Sequence, residues 1–432
     1  ISMAANGYLS PNATSWAYAP GGLDDKFLPG ASGFKYLILA KAIDIAGNIQ
    51  DTYTVDISSL VIKVDKAAPS SQITDYPLDD SDETSGRYKS QNIGKSATAS
   101  RFKGTAQDSY YTQNNSTVAA TQIRLSYLSE GDPYYWNQSA NNFSSWTITA
   151  DAAWFDTLLS GSGPTYNWLY LSDIEWPAGD REYKLEAKSM DDARTAEDTG
   201  DGNWENPQSR PNNIRYFIID DSPPSVLITS PTALAQKSLT KIYGTVNADI
   251  AGFNSGEIKI STGSGANTRY WTGSGWSTSE QWLTNPVKLG PTSWYYTVDE
   301  IMLKDDIVYT FVAKSLDYAG NYSNVYSTYN VTYDTTPPNV TLTYPEDGDT
   351  YSSVKYSTPV AGTSANTQLA PNTGVSSVTV AISQMNKVGA NYVYNTCFNG
   401  TGYEACSSPI WLSYTGGTLA NWEFNDPDLS FI

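Results

Sequence analysis

Three features of this 432-residue sequence predict an all-β chain of antiparallel β-sandwich domains in series. The first is a strand pattern, Y-x-h-x-A-K-x-h-D with h apolar, at residues 36–44, 183–191 and 309–317. The second is a junction: Val64-Asp65 precedes Pro69, Ile219-Asp220 precedes Pro223-Pro224, and Tyr333-Asp334 precedes Pro337-Pro338. The third is periodicity. Apolar residues alternate with period two between Gly, Asn, Asp and Pro clusters, and no long segment carries a helical stripe.

In the repeated strand, Tyr36, Ile38 and Ala40 share one face, as do Tyr309, Phe311 and Ala313. Two copies continue as x-A-G-N, at Ile45–Asn48 and Tyr318–Asn321. There Asp44 or Asp317 can accept hydrogen bonds from the next backbone N–H groups, and Gly47 or Gly320 supplies a positive φ. The middle copy departs from this after Asp191, with a polar insertion from Asp192 to Pro211 that reads as a long loop. Proline cannot donate to a central ladder, so the D-x-x-x-P stretches fit the end of one domain and the start of the next.

Two further marks keep register. Gly-Thr opens each new unit at Gly104, Gly244 and Gly362, and Trp168 and Trp294 each lie 20 residues before the lysine of the pattern, Lys188 and Lys314. Trp16, Trp168, Trp294 and Trp422 therefore read as core residues. The domains expected are 1–68 (the later strands of one), 69–223 (with insertions), 224–337, and 338–432 (the earlier strands of another). On this reading both terminal domains are incomplete and the array is elongated.

Composition narrows the function. No histidine is present, which removes Ser-His-Asp and Cys-His catalysis and imidazole metal ligands. Lys and Arg number 26 against 45 Asp and Glu, a net charge of −19, which argues against nucleic acid and anionic membrane surfaces. No apolar run is long enough to span a bilayer. The best acidic groups recur at turns and junctions in successive units. Catalytic groups are normally unique, so a non-enzyme is expected.

The A-K-x-x-D-x-A-G-N turn followed by the D-x-x-x-P junction resembles the tandem bacterial immunoglobulin-like repeats of very large secreted and cell-surface proteins. That resemblance implies Ig-like sandwiches and an extracellular or cell-surface setting. The preferred reading is a structural segment of a fibre, filament, sheath or surface layer, held by homotypic contacts between sandwiches. The alternative is an adhesin or carbohydrate-binding arm. A third reading is a spacer attached to a secreted enzyme.

Candidate site residues follow. Asp65, Asp220 and Asp334 meet prolines at the junctions, where oxygen ligands suit calcium; a capped proline turn needs no metal. Asp198, Asp201, Asn203 and Glu205 form a denser set in the insertion, readable as a calcium loop or a solvated acidic loop. No cofactor besides calcium is expected. Tyr135, Trp136, Trp146, Tyr270, Trp271, Trp276 and Trp282 lie in Gly/Ser/Asn-rich surroundings and can pack in the core, meet a protein neighbour or stack on a glycan. Cys397 and Cys406 flank Asn399-Gly400-Thr401-Gly402, a spacing suited to a disulfide pinning a hairpin.

Overall fold

The computed structural model describes residues 34–82, 84–97, 100–108, 117–145, 148–193, 202–247, 249–351, 359–366 and 374–429. The chain divides into two compact units. The first is Ile1–Ser222 with Asp249–Gly252 and Asp317–Asn321; the second is Pro223–Ala248, Phe253–Leu316 and Tyr322–Ile432. Among the described residues every regular element longer than a single helical turn is a strand.

The first unit begins with an antiparallel hairpin of β1 (Phe34–Leu39) and β2 (Ser59–Val64). A sandwich of two sheets follows. In one sheet β3 (Ser70–Ile73) pairs with β5 (Lys103–Gln107), then come β11 (Thr165–Leu169) and β10 (Leu158–Ser160). The other runs β4 (Arg87–Tyr88), β13 (Ile214–Ile219), β12 (Arg181–Asp191), β6 (Val118–Ser129), β7 (Asp132–Asn137) and β8 (Asn142–Ser144), with β9 (Phe155–Asp156) beside β6.

The second unit repeats this plan. One sheet is β14 (Ser225–Ser230), β16 (Lys241–Asn247), β21 (Ser293–Thr297) and β20 (Val287–Gly290). The other is β15 (Ala235–Gln236), β23 (Ser327–Tyr333), β22 (Ile307–Asp317), β17 (Phe253–Thr262), β18 (Arg269–Trp271) and β19 (Trp276–Ser277). Its last repeat holds three smaller sheets. These are β24 (Asn339–Tyr344), β25 (Val360–Ala365), β32 (Asn421–Phe424) and β31 (Gly416–Gly417); β26 (Thr379–Val380) with β30 (Leu412–Ser413); and β27 (Ser383–Val388), β28 (Asn391–Phe398) and β29 (Tyr403–Ala405).

Three separate apolar cores follow from strand parity. In β12 the residues Tyr183, Leu185 and Ala187 are buried, and in β22 so are Tyr309, Phe311 and Ala313. Counting on by two reaches Asp191 and Asp317, so each repeated aspartate lies on the inward face, and both are 0% exposed. The A-K lysine has the opposite parity and faces outward.

The Gly-Thr openings have a packing cause. Gly104 pairs across the strand with Trp168, Gly244 with Trp294 and Gly362 with Trp422. A Cβ at any of these glycines would collide with the tryptophan ring and with a neighbouring carbonyl, that of Gln72, Leu227 or Thr341. The backbone here is ordinary strand; what glycine supplies is room for the ring. All three tryptophans are buried as expected, and Trp16 lies outside the described residues.

Candidate functional site

The repeated aspartate is held the same way in three places. In the first copy Asn48 donates from its backbone N to Asp44 Oδ1 at 2.8 Å and from Nδ2 to Oδ2 at 2.7 Å. In the third copy Asn321 donates to Asp317 at 2.7 and 2.9 Å through the same atoms. The middle copy, whose turn is interrupted by the insertion, recovers the arrangement with Asn203, which donates to Asp191 at 2.8 Å through both atoms. Asn203 therefore takes the place of the A-G-N asparagine across the insertion. By sequence alone it reads as part of a calcium loop or of a solvated acidic loop. The following residues keep step: Trp204 bridges Met190 as Tyr322 bridges Leu316.

Two of these clamps reach the junction. Asn321 Nδ2 also donates to the Asp220 backbone carbonyl at 2.9 Å, and Asn203 Nδ2 to that of Asp65 at 3.1 Å. The junction aspartates cap their own turns, Asp220 Oδ1 accepting from Ser222 N at 2.9 Å, Asp65 Oδ1 from Ala67 N at 3.0 Å and Asp334 Oδ1 from Thr336 N at 3.1 Å.

A third carboxylate, with no motif to announce it, completes each cluster. Asp65, Asp108 and Asp191 bring one oxygen each within 4.8 Å of one another, and so do Asp220, Asp249 and Asp317. All six belong to the first unit. Asp108 and Asp249 follow the Gly-Thr strands β5 and β16; the corresponding residue after β25 is Asn366, whose Nδ2 donates to Asp334 Oδ2 at 3.2 Å. At that position an amide replaces an acid and satisfies the junction aspartate directly.

The electrostatics of the second cluster are strained. Burial pushes Asp220 well above the ordinary carboxylate range, and the neighbouring Asp249 carboxyl pushes it further. Burial also raises Asp191 and Asp317, against the opposing effect of their asparagine partners. Asp44 has the same asparagine bonds without the burial, and its value is lowered. Asp249 Oδ2 is buried and meets no donor among the described residues. Such a group either shares a proton with its neighbour or faces a cation. Two oxygens on one calcium ion at about 2.4 Å can be no more than about 4.8 Å apart, so both clusters have the span of a hard-cation site.

The insertion set behaves differently. Asp198 and Asp201 lie outside the described residues. Glu205 is a staple of the fold: its oxygens accept from Ser71 N at 2.8 Å, Ser189 N and Oγ at 3.1 Å each, and Asn213 Nδ2 at 2.8 Å. With four donors, from β3, β12 and the turn before β13, the fold already uses the oxygens that the sequence offers as metal ligands at this residue.

The aromatic candidates separate by burial. Trp136 and Trp271 are core residues at 1% and 3% exposure, so neither can meet a glycan or a partner. Trp276 is half-buried, its ring 5.5 Å from Trp271 and 5.9 Å from Tyr309. Trp282 covers the outward lysines Lys314 and Lys259 at 4.5 and 4.8 Å. Tyr135 is half-buried beside Arg124, at 5.6 Å, and Tyr270 is half-buried in β18. Trp146 lies outside the described residues. Among the described residues the exposed indoles are Trp204 at 37% and Trp411 at 63%, neither of them among the aromatic candidates. Trp204 lies 4.3 Å from Lys188, as Tyr322 lies 4.5 Å from Lys314. The A-K lysines of the second and third copies, Lys188 and Lys314, are thus covered by rings in a cation–π arrangement.

Cys397 and Cys406 are bonded, with Cα atoms 5.7 Å apart, across the β28–β29 hairpin.

No protein-family model and no curated protein matches the chain. Among solved structures it is similar to tandem repeats from the extending region of a large adhesion protein, at 14% identity and a TM-score of 0.27, over 91% of this chain and 74% of that one. A membrane-anchored protein from Corynebacterium diphtheriae is similar at 10% identity and 0.20, over 91% and 88%. The alpha-2-macroglobulin of E. coli is similar at 9% identity and 0.22, over 91% and 25%. Superpositions of this quality say nothing about function. No helix among the described residues is long and apolar enough to cross a membrane.

Proposed function

We propose that this chain is a structural repeat segment of a large extracellular protein of the bacterial surface, such as a fibre, sheath or surface layer, and that it performs no catalysis. One observation carries the reading: the same side chains hold the same backbone positions in successive repeats. Asp44, Asp191 and Asp317 are each gripped by an asparagine, and at two junctions that asparagine also holds the carbonyl of the junction aspartate. Acids spent in this way serve the joint of a repeat rather than a reaction. Calcium is the proposed ligand of the two aspartate clusters, where it would replace the shared proton and satisfy Asp249 Oδ2. The glycan reading loses Trp136 and Trp271 to the core and gains no other support.

Small-angle scattering of the purified chain tests the proposal. An elongated particle with serial domain-sized density is expected, whereas a compact particle in calcium and in chelator alike would sink it. Calorimetric titration with calcium tests the clusters, through an Asp249→Asn and Asp108→Asn double variant that should lose the heat of binding.

A further inference from the structure

In each of the two full sandwiches an early strand and the last strand lie side by side and parallel. In the first, β4 pairs with β13, Arg87 beside Ile218 and Tyr88 beside Ile219. In the second, β15 pairs with β23, Ala235 beside Thr332 and Gln236 beside Tyr333. The direction matters under tension. A pull along the chain draws the entering strand toward its N-terminal end and the leaving strand toward its C-terminal end. Between parallel neighbours these forces oppose along the strand axis, so the bonds are loaded together in shear. Between antiparallel neighbours the same forces act at one end and open the bonds singly.

The two sandwiches close this contact with different chemistry. In the first, Ile218 N donates to Gly86 O at 2.7 Å and Asp220 N to Tyr88 O at 2.9 Å. The segment leading from β3 toward β4 is also tied to β13 and the residues before it. Ile73 N donates to Asn212 O at 2.8 Å, and Asp80 N to Tyr216 O at 2.9 Å. Arg215 Nη1 donates to the Asp75 and Pro77 carbonyls at 3.1 and 2.6 Å, and Nη2 to that of Ile73. Arg210 Nε donates to Asp79 Oδ1 and Oδ2 at 3.0 and 2.8 Å, and Nη2 to Asp80 Oδ1 at 2.6 Å. Asp79 is buried and accepts from Tyr216 N at 2.9 Å as well. Two arginines next to the leaving strand therefore hold the entering segment through charge-assisted bonds.

The second sandwich uses neutral groups at the same place. Thr332 N donates to Leu234 O at 2.7 Å and Asp334 N to Gln236 O at 3.0 Å. Ile228 N donates to Ser327 Oγ at 2.8 Å, and Tyr329 OH to Ala233 O at 2.7 Å. Neither residues 228–236 nor residues 324–333 contain a charged side chain.

We propose that the parallel pairs are force-bearing clamps of unequal strength. The arginine-tied clamp keeps the sandwich at 69–222 folded while a stretched chain lengthens by opening the one at 224–334. This rests on the structural reading above, in which the chain is a link under load. Forced unfolding follows the barrier to opening rather than equilibrium stability, so bonds at the clamp outweigh the rest of the core.

Optical-tweezer stretching of the full chain through handles on Ala68→Cys and Thr335→Cys loads these two sandwiches alone. Both native cysteines are bonded to each other, so the handles find only the introduced thiols. Released length identifies each sandwich, about 50 nm for the first and about 35 nm for the second, at about 3.6 Å per residue less the folded span. The shorter step should come first and at the lower force. Arg210→Gln changes a side chain 45% exposed and should remove that order, bringing the longer step down to the force of the shorter. Handles on Ala68→Cys and Gln208→Cys leave the clamp residues intact and pull β4 and β13 from matching ends. The first sandwich should then open at lower force. A longer step that comes first in the unaltered clamp, an Arg210→Gln chain with unchanged forces, or equal resistance in both pulling directions overturns the proposal. Rupture order is read on the sandwiches and scattering reads the array, so either reading can fail without the other.

Discussion

The hairpins at 34–64 and 307–333 share a pattern and a register and differ in what covers them. In β22 the inward residues Tyr309, Phe311 and Ala313 are buried against an opposing sheet, and in β1 the matching Ile38 is 45% exposed. The turns differ in the same sense. Asp317 and Asp44 make the same two hydrogen bonds to an asparagine, yet burial raises one and leaves the other lowered. A motif can therefore specify geometry completely and say little about energy, because the energy depends on solvent exclusion by parts of the fold that lie elsewhere in sequence.

The widest gap is expected from truncating the two strands. Phe311→Ala should cost about 3–5 kcal/mol in chemical denaturation followed by tryptophan fluorescence. Ile38→Ala in the dilute chain should cost roughly 0.5 kcal/mol or less. Comparable losses would mean that the first hairpin is covered in solution.

Next comes packing beneath a ring. Gly244→Ala drives a Cβ into the Trp294 ring and the Leu227 carbonyl, and should cost about 1–3 kcal/mol. Gly47→Ala meets nothing within 4 Å and carries only the strain of φ 91°, about 1 kcal/mol. Thermal melts of the two variants measure the difference.

Removing the clamp should separate the turns further. Asn321→Ala leaves Asp317 Oδ2 and the Asp220 carbonyl buried without their donor, a loss of about 1–3 kcal/mol. Asn48→Ala removes the Nδ2 donor from Asp44 Oδ2, which water can replace, and should cost a few tenths of a kcal/mol, roughly within the range of surface changes.

The pH response should run in opposite directions. Asp220 is pushed up to about 8, so its contribution is complete below the unfolded value, about 4, and is lost as pH rises through about 8. Asp44 is lowered, so its contribution is present above the unfolded value and is lost as pH falls through the folded one. After correction for intrinsic exchange, the amides of Ala251 and Ser222, which donate to Asp220, should lose protection as pH rises from about 4 to about 8, and millimolar calcium should restore it. The Asn48 amide should not follow. Protection that is flat with pH at Ala251 would contradict the strained pair.

The smallest effect concerns the lysines. Lys314→Met should cost about 0.5–1 kcal/mol through lost contact with Trp282 and Tyr322. Lys41→Met should be neutral within the error of the same melt.

Much of this fold was legible in the sequence because strand parity is a local property. The spacing of Tyr309, Phe311 and Ala313 already places Asp317 on the inward face, a signal in the pattern beyond its reading as a turn cap or a carboxylate near a calcium ion. The cross-strand Gly–Trp pairs were likewise present as two separate repeats, Gly-Thr and Trp, whose connection needed the register of β5 with β11 and of β16 with β21. Asp108 and Asp249 left no such trace. Each follows a strand by a different offset, and nothing local distinguishes them from any surface aspartate.

The sequence by itself determined the all-β repeat, the inward and outward faces of the repeated strand and the local disulfide, since each depends on residues close together along the chain. The tertiary structure alone decided which three carboxylates meet, that Asn203 closes its clamp across the insertion, that Glu205 is a staple, and that Trp136 and Trp271 are core. Those outcomes depend on sheet register and on the exclusion of water between sheets, which no short stretch of sequence contains.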